Sequence, residues 1–398
     1  METKFPLDIT QPLEIPFNIE NFGVYALKIT ARCQSGNLLE FRGGQDLRVE
    51  IDNIKLREIP PKDKPQYNNI PPAWNGTELR NLNKTIFFVL SLTKGTHTLK
   101  FIPDNGAQIE SFETITIQDV RKITFDLNAQ AEERDRQPWY TFAFIDLPLY
   151  SLSSEISTSW HFLDGDNVKL IIDNKVEENK NSKLWKNWLW SSKPWQIFSG
   201  AVKKSISLTP NLSKGIHYIE FWADRTPTLH NVIFSLGDFT PKRIPTAQDP
   251  QWTGNFDDDS EEILLARLIL GEAENQSRET RIWVGGAVLN RVKAKAWPDT
   301  IHGVALQKNQ YDPFKLLNTN FPKITNPLNE NKSQLRLKNW QDCYEVAKKL
   351  LSGEIVNPTT ATHFNGIGVD KEYFMKTYIP QGKFLRQIDD TYFYWSPN

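Results

Sequence analysis

Apolar and polar positions alternate with period two through most of the first 240 residues, then change to a helical period beyond a proline-rich break. Gln45-Asp46-Leu47-Arg48-Val49-Glu50-Ile51-Asp52-Asn53 and Asp166-Asn167-Val168-Lys169-Leu170-Ile171-Ile172-Asp173-Asn174 resemble each other and alternate as half-buried strands do. Downstream, Leu90 to Phe101 and Leu212 to Phe221 each place a Lys-Gly turn ahead of an alternating strand. Two tandem all-β units are therefore expected, residues 1–130 and 131–245, each a sandwich of jelly-roll kind. Pro241 to Pro250 is polar and without periodicity, which puts a linker at 246–257 and a third domain at 258–398.

In that third domain Asp257-Asp258-Asp259-Ser260 followed by Glu261-Glu262 reads as a helix start, with capping-box spacing from Asp259 to Glu262. The aspartates lack the spacing of an EF-hand loop. Leu264, Leu265, Leu268 and Ile269 form a helical stripe, and Glu272 continues it, four residues after Leu268 and seven after Leu265. A second helix near Glu279–Lys293 aligns Ile282, Gly285, Gly286, Leu289 and Val292 on one face. Each glycine costs about 1 kcal/mol relative to alanine, so close packing is expected to compensate. A third helix near Leu335–Ser352 presents Leu337, Trp340, Tyr344, Ala347 and Leu351, with Gly353 to end it. Thr360 to Trp395 is aromatic, turn-rich and partly strand-like.

Length agrees with several domains: 398 residues at roughly 100 to 200 per domain give two to four. No apolar run approaches the ~20 residues that span a bilayer, so membrane insertion is not expected. A net charge of -1 gives no reason to expect nucleic acid. The opening Met1-Glu2-Thr3-Lys4-Phe5-Pro6 lacks the pattern of a secretory signal. Cys33 and Cys343 are far apart, which supports neither a disulfide framework nor a thiolate metal site; no metal and no cofactor are expected. Oligomeric state is not written in the sequence.

Aromatic residues are plentiful, with 13 Trp. Trp185, Trp188, Trp190 and Trp195 cluster around a Lys-rich connection in the second repeat. If extended, Trp188 and Trp190 share a strand face and form either a platform for sugar rings or a core hairpin. The first repeat offers Trp74 in a loop but no such cluster, so the second is the better candidate for glycan binding.

A carboxyl group at the buried edge of a helix loses hydration, which raises its pKa and suits Glu272 to general acid work. The alternative is an ion pair with Arg267 or Arg278. Glu274 and Glu279 lie off the stripe and read as solvated or structural charges.

Leu264-Leu265-Ala266-Arg267-Leu268-Ile269-Leu270-Gly271-Glu272-Ala273, then Val288-Leu289-Asn290-Arg291-Val292, Thr300-Ile301-His302-Gly303-Val304 and Ala361-Thr362-His363-Phe364-Asn365, resemble the spore-cortex-lytic cell-wall hydrolase family over about residues 258–396. The resemblance implies an α+β lysozyme-like catalytic domain after the two sandwiches. It implies a lytic transglycosylase cleaving peptidoglycan, the partner, at the cell wall or outside the cell. It makes Glu272 catalytic and Gln310, Tyr311, Phe314, His363, Phe364 and Asn365 glycan-cleft residues. One departure is Glu274-Asn275-Gln276 where the family has Arg-Gly-Glu, which removes a second acid.

With one strong carboxylate in view, the expected chemistry is protonation of the leaving oxygen by Glu272 and closure of the muramic 6-hydroxyl onto its own anomeric carbon. Asp312, before Pro313, is either a second carboxylate or a turn residue. His302 and His363 are expected to be structural hydrogen-bonding residues. Two other readings stand beside the enzyme: a glycan-binding adhesin with an inactive tail, and a delivery component whose sandwiches dock to an assembly.

Overall fold

The computed structural model describes residues 4–36, 43–162, 164–329 and 334–397. Backbone contacts divide the chain into two compact units, Met1–Leu92 with Thr96–Lys242 and Arg243–Asn398 with Thr93–Gly95. The first is all β apart from short helical turns such as α1 (Gly76–Leu79), and the second is mainly helical.

A nine-stranded sheet runs through the first unit in the order Leu7–Ile9, Ala107–Ile117, Gly23–Arg32, Lys84–Leu92, Gln137–Leu149, Leu212–Asp224, Asn167–Ile172 and Lys175–Val176, with Trp190–Ser191 also paired to Asn167–Ile172. Its pairs are antiparallel except at the centre, where Lys84–Leu92 and Gln137–Leu149 run parallel with Phe87 opposite Phe142. Here the two halves of this unit that carry the similar sequence segments meet.

Ile86, Phe88 and Leu90 point into a core closed by the sheet of Leu13–Ile19, Gly95–Asp104 and Asp46–Ile51, together with Ala143 and Ile145. Phe87, Val89, Phe142 and Phe144 point the other way, into a core closed by Ile123–Gln130, Thr228–Ser235 and Ser151–Thr158. Central strands buried on both faces favour apolar residues on each side, so Ile86–Leu90 and Phe142–Ile145 are unbroken apolar runs rather than alternating ones. Ile123–Gln130 pairs with Thr228–Ser235 and so belongs to the second repeat's sheet.

The repeats also share a turn. Asp52-Asn53 and Asp173-Asn174 both have positive φ, 48° and 67° in one and 46° and 64° in the other, as two-residue hairpins of this hand require. Each aspartate accepts a backbone N–H from the facing strand, from Thr98 and from Tyr218 at 2.8 Å, and each holds a histidine Nδ1, of His97 and of His217. The turn, the strand and the ring are thus tied in the same way twice.

In the second unit α2 (Glu261–Ala273) packs against α3 (Arg278–Lys293), α4 (Ile301–Ala305), α5 (Phe321–Thr325) and α6 (Gln334–Ser352). Ser260, not Asp259, caps α2 by accepting from Ile263 N. Asp259 instead turns inward to a two-point pair with Arg267, at 2.6 and 3.0 Å, both side chains fully buried. Ile263 to Gly271 is buried all round, as expected for a helix surrounded by others rather than one with a single apolar stripe.

The α3 glycines are packing positions. A Cβ on Gly285 would lie 2.7 Å from Leu350 and 3.0 Å from Ile269, and one on Gly286 would lie 2.3 Å from Asn357 Oδ1. The buried residues of α3 are Thr280, Arg281, Val284, Gly285, Gly286, Ala287, Val288 and Arg291, while Ile282, Leu289 and Val292 are only partly buried. In α6 the buried set is Asn339, Trp340, Cys343, Val346, Ala347 and Leu350, and Leu337 is exposed. A sheet of His363–Gly366, Thr391–Trp395 and Lys383–Ile388, in that order, completes the unit, with α7 (Lys371–Tyr378) between its strands in sequence. Among the described residues no helix is long and apolar enough to cross a membrane.

Candidate active site

Glu272 stands in the last turn of α2, partly buried, between fully buried Gly271 and Ala273. Neither candidate cation pairs with it. Arg267 is committed to Asp259, and Arg278 binds Asp342 and Glu345. Burial pushes its carboxyl up to about 7, and the nearby Asp312 carboxylate pushes the same way, while Arg291 pulls it partly back. Near neutral pH this group is poised between acid and base.

Asp312 lies near enough to Glu272 for its charge to act on it, and the turn that carries it packs where Gly271 lacks a side chain. The short 3-10 turn Asp312–Phe314 lies against α2 so closely that a Cβ on Gly271 would come within 2.5 Å of Pro313 Cβ and 3.1 Å of Ile324. Ring and branched carbons cannot swing aside. Gly271→Ala is therefore expected to cost about 1–3 kcal/mol of stability through overpacking. It should also displace Asp312 from Glu272 and lower activity; melting temperature and turnover measured on the same preparation check this.

Arg291 organises the rest. Buried on α3, it donates to Thr362 O at 2.5 Å, Gln310 Oε1 at 3.0 Å and Tyr311 Oη at 3.1 Å, and its guanidinium lies over the rings of Trp297 and Tyr311. The preceding Asn290 donates to Thr359 O and Ala361 O, so the pair clamps the segment leading into His363 onto α3. Burial raises the Tyr311 phenol to about 12, keeping it a donor. His363 is lowered to about 4 by burial and by Arg291, so its ring is neutral at physiological pH. Its Nδ1 meets Thr362 Oγ1 at 3.1 Å, and Trp297 packs edge-on against it.

Glu272, Gln310, Tyr311 and His363 are thus linked through Arg291, and Phe364 joins them through its ring contact with Tyr311, 6.2 Å between centroids. Asn365 sits on the same strand as His363, with Nδ2 on Gly366 O and Oδ1 buried without a hydrogen bond. Phe314 packs edge-on against Phe256, next to the start of α2. Glu274 is held by Lys323 and Arg336, and Gln276 receives Asp390 N, so both are structural. His302 bonds to Asp259 O.

The shared strand face expected for Trp188 and Trp190 is not formed. Trp190 is 1% exposed in the core of the first unit, with Nε1 on Lys204 O, and Trp188 lies outside the strand. Trp190 is the counterpart of Trp74, equally buried with Nε1 on Lys84 O. An indole filling a core with its N–H satisfied has no face left for a sugar. Trp188 is half-buried under Lys169 Nζ, 5.2 Å from its ring.

Sequence reasoning overlooked Arg291, Trp297 and Thr362. An arginine inside the apolar run Val288 to Val292 was the available signal, since a buried guanidinium must be satisfied by several acceptors.

Residues 275–394 match the profile of the family described as Cell Wall Hydrolase, a stretch that begins three residues after Glu272. Among solved structures, the catalytic domain of the germination-specific lytic transglycosylase SleB from Bacillus anthracis is similar at 16% identity, covering 33% of this chain and 92% of that one, with a TM-score of 0.23. The catalytic domain of the Bacillus cereus SleB protein gives 16% identity, 39% and 97% coverage and the same TM-score. The ANX2 ectodomain from Arabidopsis thaliana gives 10%, covering 58% of this chain and 83% of that one, again at 0.23. At that TM-score none of the three establishes a shared fold. No curated protein matches the chain.

Proposed function

With residues 275–394 a cell wall hydrolase family domain, we propose that the second unit cleaves the β-1,4 bond between N-acetylmuramic acid and N-acetylglucosamine in peptidoglycan, with Glu272 as its acid and base. The observation that carries this reading is a carboxyl group raised to about 7 at the end of α2, under the field of Arg291, which also holds Gln310 and Tyr311.

Glu272 gives its proton to the glycosidic oxygen as the bond to the muramic anomeric carbon breaks. The resulting carboxylate then takes the proton of that sugar's 6-hydroxyl while its oxygen bonds to the anomeric carbon. The acid is regenerated, no water is consumed, and the product ends in a 1,6-anhydro sugar. Gln310, His363, Phe364 and Asn365 bind the glycan, the neutral His363 through hydrogen bonds, while Tyr311, buried with its hydroxyl on Arg291, supports Phe364 from behind rather than touching sugar. Trp188 is a candidate contact for glycan on the first unit.

A hydrolytic course needs a second carboxylate free to direct water. Asp312 is bound to Lys315 at 2.5 Å and is largely exposed, which favours the single-acid course. Mass spectrometry of digested wall should find anhydro-muramic ends. Hydrated reducing ends that disappear in Asp312→Asn would overturn this course and make Asp312 the partner acid.

A further inference from the structure

A neutral imidazole carries one N–H, so it offers a ligand a donor or an acceptor according to which ring nitrogen holds the hydrogen. For His363 that choice is made by the residue before it. Thr362 is 4% exposed, and its Oγ1 is tied to Ser396, just past the strand Thr391–Trp395, receiving Ser396 N–H at 2.9 Å and donating to Ser396 O at 3.1 Å. Its backbone is held as well, with N–H on Tyr394 O at 2.9 Å and O under Arg291 Nε at 2.5 Å.

The third group on this hydroxyl is His363 Nδ1, at 3.1 Å. A threonine hydroxyl has one proton to give and two lone pairs to fill. A carbonyl oxygen only accepts, so the proton goes to Ser396 O; turned to the ring, it would leave two bare oxygens facing each other at 3.1 Å. One lone pair takes Ser396 N–H, and the other is left for the ring. Nδ1 therefore carries the hydrogen of His363, and Nε2 keeps an open lone pair. No described residue bonds Nε2, and it is not one of the buried polar atoms that lack a partner, so it faces solvent. Burial and Arg291 lower the ring to about 4, which keeps that lone pair free of a proton at neutral pH. Gln310 is set in the opposite sense: its Oε1 is on Arg291, so its amide nitrogen is the atom left to donate.

Given the glycan-cleaving site proposed above, we propose that Thr362 is a positioning residue that locks His363 in the Nδ1–H form, so that Nε2 accepts a hydroxyl or acetamido N–H of the bound sugar. A carbonyl or carboxylate oxygen of the substrate finds no donor at this nitrogen. An acetamido group that meets the ring is thereby oriented, its N–H toward His363 and its C=O away.

Nitrogen NMR of the full chain with isotope-labelled histidine reads the tautomer without substrate, the His363 signals being assigned by their loss in His363→Gln. The parent is expected to show a protonated Nδ1 and a bare Nε2 at neutral pH; a hydrogen on Nε2 would overturn the proposal. On soluble glycan strands Thr362→Val, which keeps the shape without the hydroxyl, should mix the two tautomers and raise KM about fivefold, the worth of one hydrogen bond, with kcat little changed. Thr362→Ser should restore both the tautomer and KM. Mixed tautomers in Thr362→Val with KM unmoved, or a loss lying wholly in kcat, would overturn the role in binding. Repeating the comparison on de-N-acetylated strands identifies the sugar group, since the penalty vanishes there for an acetamido partner and persists for a hydroxyl. A parent that cuts no glycan would overturn the cleavage reading and the sugar contact with it, but not the tautomer, which the spectrum reads alone.

Discussion

Glu272→Gln is expected to lower the release of soluble glycan from purified cell wall by about 10²–10⁴-fold, the range supplied by a positioned general acid. Glutamine keeps the size of the side chain, so the loss should fall on turnover, with sedimentation on insoluble wall little changed. The parent's pH dependence follows from the same group. The acid must carry its proton when the bond breaks, so activity is expected to hold below pH 7 and to fall above it, following a carboxyl raised to about 7.

Stability moves with it. Because the folded-state pKa lies above the unfolded one, the folded chain holds this proton more tightly, and the contribution is complete below the unfolded value and lost as pH rises through about 7. The amount is at most roughly 3–4 kcal/mol. Glu272→Gln should therefore be inactive yet melt higher than the parent above pH 7, with the two converging in acid. Equal melting temperatures at high pH would show that Glu272 is not raised.

Arg291→Lys is expected to be nearly as damaging to activity while keeping the charge. An ammonium group cannot reach Thr362 O, Gln310 Oε1 and Tyr311 Oη with the planar fork that now does so. Losing charge-assisted bonds to buried acceptors should cost at least about 2 kcal/mol. Displacing Tyr311 and the His363 strand should lower turnover by up to about a hundredfold. With the charge retained, the fall in activity should stay near pH 7. Arg291→Gln removes the charge as well, so its fall should move to higher pH, and comparing the two profiles separates scaffold from electrostatics.

What could be seen in the sequence follows the range of the forces involved. The partly buried place of Glu272 at the end of α2 was legible because helix period is local, and four residues of spacing place it beside Leu268. The α3 glycines were legible as close-packing sites for the same reason. Asp259 was misread as a cap since its true partner, Arg267, is eight residues on, in a helix whose full enclosure only tertiary packing supplies. Trp190 looked like half of a platform because alternation assigns residues to faces without saying whether a face is wet. Its twin Trp74 sits in a segment with no alternation to flag it. Arg291 stood in plain view within an apolar run, but its acceptors come from two segments distant in sequence.

The parallel join between Lys84–Leu92 and Gln137–Leu149 has a practical cost for anyone dividing this molecule. A chain begun at residue 131 would lose both Lys84–Leu92 and Ile123–Gln130. Gln137–Leu149 would become a bare edge thirteen residues long, apolar on both sides and open to any strand that meets it. Such a fragment would be a seed for self-association, which ties the solubility of either repeat to the presence of the other.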